Sequence, residues 1–179
     1  RTLETLLKLE PQYREAMLMR IQTYSLQGSY YYAETLAEEM LNKFPDYGPV
    51  RRELLRIKFA QQQWPEAQAL LIQLKAKNNL SVEDKLIEAY LLIHQKQENE
   101  ARQRFESILK NNPKNVDAIM GLALQLLRKG FLEDSLSWLN RGLEINPRQA
   151  KSHYLRASIL FRQGDYLQGD LAIARALEL

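Results

Sequence analysis

Cysteine is missing from this chain of 179 residues. That removes disulfides and thiolate metal sites, and it suits a reducing or an oxidising compartment, cytoplasm or periplasm, equally. Histidine is scarce: His94 and His153 stand far apart with no close carboxylate pair, so neither a metal nor another cofactor is implied. No apolar run approaches the roughly 18 residues that a membrane span needs. The seven glycines are isolated, so no P-loop, dinucleotide fingerprint or nucleophile elbow assembles, and the chain reads as a non-enzyme. Strand signals are absent too, with no sustained alternation and no Asn-Gly or Asp-Gly turns. Charge is balanced, 25 basic against 22 acidic residues, whereas phosphate-driven binding needs a concentrated basic stripe. The one local excess, Arg51, Arg52, Arg56 and Lys58, is interrupted by Glu53, and nucleic acid is not expected as a partner.

What the chain does contain is a ruler. Pro11, Pro45, Pro113 and Pro147 all fall on one 34-residue register, and a fixed period of this length marks a repeat architecture. Ala33, Ala67, Ala101, Ser135 and Gly169 form a second register of small residues. Gly28, Gly130 and Gly164 form a third, with Gln62 and Lys96 at its two other steps. Ile21, Leu55, Ala89, Ala123 and Ala157 form a fourth; Ala37, Leu71, Phe105, Leu139 and Ile173 form a fifth. Small residues in register let helices approach, and large apolar ones fill the space between them.

Within each unit the apolar residues recur at three- and four-residue spacing. The pattern predicts first helices at 14–27, 48–61, 82–95, 116–129 and 150–163, and second helices at 30–43, 64–77, 98–111, 132–145 and 166–179. The expected organisation is one solenoid over 1–179, with the end of a preceding unit at 1–13 and units at 14–47, 48–81, 82–115, 116–149 and 150–179. The pattern overruns both ends, which reads as a window on a longer chain. His153 shares a register with Met17 and Ile119, a packing position. Glu34, Glu38 and Glu39 are expected on solvated faces. Trp64 is expected to pack its own hairpin, and Trp138 to face solvent or the next unit. Asn79 stands where a closing proline is due and marks an expected bend.

A 34-residue helix–turn–helix with a small residue early in its second helix and a closing proline resembles the tetratricopeptide repeat. The phrasing is closest at Gln163-Gly164-Asp165-Tyr166 with Ala174-Arg175-Ala176-Leu177-Glu178-Leu179, and at Gly142-Leu143-Glu144-Ile145-Asn146-Pro147. The resemblance implies an all-α, right-handed superhelical solenoid of about five units plus a half unit. It further implies a non-catalytic scaffold whose first helices line a concave groove for a peptide or helix of another protein. Bacterial members of the family suggest secretion, surface-polysaccharide export or envelope assembly as settings. The alternative is the regulatory or targeting arm of a larger enzyme.

Residues at i, i+4 and i+7 of each first helix share one face. They read Leu18, Gln22, Ser25; Arg52, Arg56, Phe59; Leu86, Tyr90, Ile93; Met120, Leu124, Leu127; and Tyr154, Ser158, Phe161. The third and fourth units contribute six apolar side chains, and Arg52, Arg56, Arg128, Lys151 and Arg162 stand around them. Two readings remain open: an apolar groove whose cations catch acidic groups, or a stripe buried as ordinary core. The paired lysines and asparagines of chaperone-tail clamps are absent. Met19, Glu53, Ile87, Gly121 and Leu155 replace the asparagine ladder of glycosyltransferase-associated repeats. Leu167, Leu171 and Ile173 on the last helix lack a covering helix in the pattern, which makes self-association there an expectation.

Overall fold

The computed structural model describes residues 14–77 and 80–179. The half unit at 1–13 and the bend at Asn79 lie outside the described residues. Among those described, ten α-helices and no strand occur: an all-α repeat fold of the solenoid class. In order they are α1 (Arg14–Leu26), α2 (Tyr30–Lys43), α3 (Gly48–Ala60), α4 (Trp64–Ala76) and α5 (Val82–His94), then α6 (Glu98–Asn111), α7 (Val116–Arg128), α8 (Leu132–Ile145), α9 (Ala150–Gln163) and α10 (Tyr166–Leu177). Every helix starts where the register predicts, and each ends within two residues of the predicted end. None of the described helices is long and apolar enough to cross a membrane.

The registers carry the local structure. Phe44, Asn112 and Asn146 follow α2, α6 and α8 with nearly equal backbone angles, φ −133, −138 and −132° and ψ 74, 86 and 88°. Each precedes a proline, whose ring excludes the helical region for the residue before it. The proline therefore stops the helix one residue upstream. Asn112 and Asn146 reinforce the turn, their side-chain oxygens accepting from the N–H of Lys114 and Arg148. Helix α4 has no proline after it and ends differently, at Lys77 with φ −92° and ψ 7°. The proline carbonyls are also used: Arg51 donates to Pro45, and His153 Nε2 to Pro147 at 2.9 Å, six residues on in both cases. Ile119 holds that position after Pro113, and Arg141 reaches the carbonyl instead. His153 is thus a structural donor.

The hairpin turns share one device. Gly28, Gln62, Lys96, Gly130 and Gly164 all lie in the left-handed region, with φ between 60 and 84°. Glycine tolerates that geometry, whereas Gln62 and Lys96 adopt it at a cost.

Two compact units divide the chain, Arg1–Ile87 and Glu88–Leu179, with the division falling inside α5. In the first unit α1 packs on α2, α2 on α3, and α3 on α4. Its core joins Ile21, Ala33, Ala37, Met40, Val50, Leu54 and Ile57. In the second unit consecutive helices from α6 to α10 pack on one another. Its core joins Ala123, Leu127, Leu139 and Ile159, and a further cluster joins Ala157, Leu160 and Ala172. Register residues Ala33, Ala67, Ala101 and Ser135 are fully buried, and the Ser135 hydroxyl is satisfied by the Ala123 carbonyl at 2.7 Å.

Candidate functional site

In the first unit the basic cluster is spent internally. Arg52 Nε meets Asp84 Oδ2 at 2.7 Å, and Arg56 meets Glu53 at 3.2 Å. Lys58 pairs with Glu34, and Arg51 donates to Pro45. Glu34, expected on a solvated face, is half-buried against Lys58, while Glu38 and Glu39 are exposed as expected. Leu18 packs against the core, Phe59 lies edge-on to Trp64 with centroids 5.5 Å apart, and Leu86 is buried. Trp64 thus packs its own hairpin. Along this unit the stripe offers little free apolar surface, and its arginines already hold carboxylates.

Asp84 lies outside the stripe that the sequence pattern picks. It sits in a register with Ala16, Val50, Ala118 and Ser152, all fully buried or nearly so. Ser81 and Asp84 form a reciprocal cap at the start of α5: the Ser81 N–H donates to the carboxylate, and the Asp84 N–H donates to the hydroxyl. The neighbouring Glu83 carboxyl is held below its ordinary range first by its own backbone N–H, then by Ser81.

The second unit is different. Ile93 and Leu127 are buried and belong to packing, and Phe161 lies over Gly169 against the core. Met120 and Leu124 on α7 and Ser158 on α9 are half-buried, whereas Tyr154 is 61% exposed. Arg128, Lys151 and Arg162 are exposed and have no hydrogen-bond or ion-pair partner among the described residues. Tyr90 stands edge-on to the buried Phe105, centroids 5.3 Å apart, with its hydroxyl 3.4 Å from the Asp117 carbonyl. Burial, followed by the Asp117 charge, pushes its phenol up to about 12.

Phe105 reaches this place because Gly121 makes room. A Cβ on Gly121 would stand 2.4 Å from the Phe105 ring. The register carrying Gly121 otherwise holds Met19, Glu53, Ile87 and Leu155, so the glycine answers the one phenylalanine among Ala37, Leu71, Leu139 and Ile173. Gly121 and Phe105 together seat Tyr90 beside the start of α7.

On α10, Ile173 is covered by its own hairpin, while Leu167 and Leu171 are 71% and 57% exposed. Trp138 is half-buried, with Arg141 stacked 5.0 Å from its ring. Among the described residues no group of three or more His, Asp or Glu is placed to hold a metal ion.

No curated protein matches the chain by sequence. Residues 92–159 match the family model for the tetratricopeptide repeat. Similar folds include a thermophilic tetratricopeptide-repeat protein of Thermus thermophilus, TTC0263, with 16% identity, a TM-score of 0.76, and coverage of 92% of this chain and 90% of that one. They also include pilF of Pseudomonas aeruginosa, with 16% identity, a TM-score of 0.71, and 92% and 75% coverage. A third is YrrB, described as a tetratricopeptide-repeat protein with an unusual peptide-binding site, with 11% identity, a TM-score of 0.63, and 99% and 92% coverage. The tetratricopeptide-repeat pattern is thus matched at 92–159, and the helical repeat fold is shared with tetratricopeptide-repeat proteins over nearly the whole chain.

Proposed function

We propose that the second unit holds an extended apolar segment or one face of an amphipathic helix from a partner protein. Tyr90, Met120, Leu124 and Tyr154 form its apolar floor, and Arg128, Lys151 and Arg162 pair with acidic groups of the segment. One observation carries the reading: this stripe has an uncharged floor beside three cations without internal partners, whereas the stripe arginines of the first unit, Arg52 and Arg56, already hold carboxylates. Ile93, Leu127 and Phe161 then act as packing within the second unit, Leu18, Phe59 and Leu86 as packing within the first, and Arg52 and Arg56 as structural pairs. The peptide-binding site described for YrrB and the bacterial sources of the similar folds support the reading. A role in secretion, surface-polysaccharide export or envelope assembly is the setting we propose, with 1–179 acting as one array. Self-association through Leu167 and Leu171 is proposed alongside it.

The test is selection of twelve-residue peptides displayed on phage against the chain, followed by nitrogen-15 chemical-shift mapping of the best binder. The reading expects acidic, apolar sequences and shifts concentrated on 117–128 and 150–162. Selected peptides that map to α10 or to the first unit would overturn it.

A further inference from the structure

The opposite side of α7 carries a second recess. At 100° per residue, Met120, Leu124 and Leu127 point one way, and Leu122, Leu126 and Lys129 point about 180° from them. On that side a surface cavity of about 400 Å³ opens between α6 and α8, lined by Arg102, Leu126, Phe131, Asp134, Ser137 and Trp138.

Two residues of this cavity depart from the repeat. Phe131 stands at the N-cap of α8, in a register otherwise made of Ser29, Gln63, Gln97 and Asp165. The residue is 55% exposed. Trp138 falls among Leu36, Leu70, Arg104 and Ala172, so it is the only aromatic of its register. Its ring already accepts one guanidinium, that of Arg141 at 5.0 Å. Departures from a local rule with no gain in stability are expected where a surface is used.

Charge then selects the occupant. Arg102 is held by Glu106 at 2.7 Å, and Lys129 by Glu98 at 3.2 Å. The exposed Asp134 carboxylate on the cavity wall has no ion-pair or hydrogen-bond partner among the described residues. An uncompensated carboxylate between two aromatic rings suits a cation with an alkyl stem, which gains from the ring faces and from the charge together. We propose that this cavity is a second docking site, taking a lysine or arginine side chain of a partner protein. It does not depend on the stripe on the other face of α7, and either site can fail without the other.

The probe is a blocked five-residue peptide with a central arginine flanked by leucines, compared with versions carrying lysine, norleucine or glutamate at the centre. Binding to the full chain is read from the indole N–H signals of the two tryptophans, with Trp64→Phe assigning the Trp138 signal. The arginine and lysine peptides are expected to shift the Trp138 signal saturably and to bind at least tenfold more tightly than the other two. Asp134→Asn and Phe131→Gln should each weaken them at least fivefold. Phe131→Gln installs the residue found at 63 and 97, so its fold is expected to hold, as circular dichroism will check. Equal binding of the norleucine or glutamate peptide, no saturable shift, or unchanged affinity in Asp134→Asn would overturn the proposal.

Discussion

Arg52 and Asp84 stand one repeat apart and close a 2.7 Å ion pair whose carboxylate is completely buried, while the guanidinium keeps 20% of its side-chain surface in solvent. The exposures decide which half is more costly to orphan. Without Arg52, the Asp84 carboxylate is left buried with the Ser81 N–H as its remaining donor, and its other oxygen already lacks a partner. Without Asp84, Arg52 can turn to water. Arg52→Met is therefore expected to destabilise by about 3 kcal/mol and Asp84→Ala by less. The pair Arg52→Met with Asp84→Ala should be more stable than Arg52→Met alone, since alanine is what this register holds at 16 and 118. A double-mutant cycle by urea denaturation checks it, and additive losses would refute the coupling.

Gly121 is expected to resist alanine despite lying in a helix. The change gains about 1 kcal/mol of helix propensity. It also drives a methyl into the buried Phe105 ring, 2.4 Å from the new carbon, and overpacking of this kind costs about 1–3 kcal/mol or more. The net expectation is a loss of up to about 2 kcal/mol in denaturation midpoint analysis. Phe105→Leu, which installs the residue found at 71 and 139, should recover most of it in the double variant.

Gln62 and Lys96 are strained where their registers elsewhere use glycine. Gln62→Gly and Lys96→Gly are each expected to stabilise by about 0.5–1 kcal/mol, the left-handed cost outweighing the added chain entropy. Thermal melts of the two variants measure this directly. The same change at an ordinary helical site such as Gln103 should destabilise.

Tyr90 gives the fold an alkaline signature. Its phenol ionises near 10 in an unfolded chain and is pushed up to about 12 in the fold by burial. The neutral form is the one the fold prefers, so this contribution is complete below pH 10 and is lost as the pH rises through 12. Tyr90→Phe keeps the ring on Phe105 and removes the titration. The stability difference between wild type and variant, followed by urea midpoint, should change across pH 10–12 and stay level below it.

Much of the fold was legible because each register repeats one physical demand: a proline that stops a helix, a left-handed turn, a small residue at a helix crossing. Ten helix starts follow from those demands alone. The site was legible only in part, since the stripe rule picks a helix face and cannot tell how deeply the next helix covers it. Leu86, Ile93 and Leu127 obey the rule and are buried; Tyr154 obeys it and is exposed. Charge state was hidden for a related reason. Arg52 and Arg56 read as groove cations until Asp84 and Glu53, acids in buried positions, are found beside them. Phe131 and Asp134 lie outside the stripe rule altogether, because it picks faces of first helices and both stand at the start of a second.

The most direct measurement of the central claim pairs affinity with stability in one variant, Leu124→Asp with Tyr154→Asp. The selected acidic, apolar peptide should bind it at least tenfold more weakly than wild type, while its helicity is unchanged and its melting temperature falls by only a few degrees. Unchanged affinity would contradict the claim that this stripe receives the partner, and unfolding of the variant would show that the stripe is core.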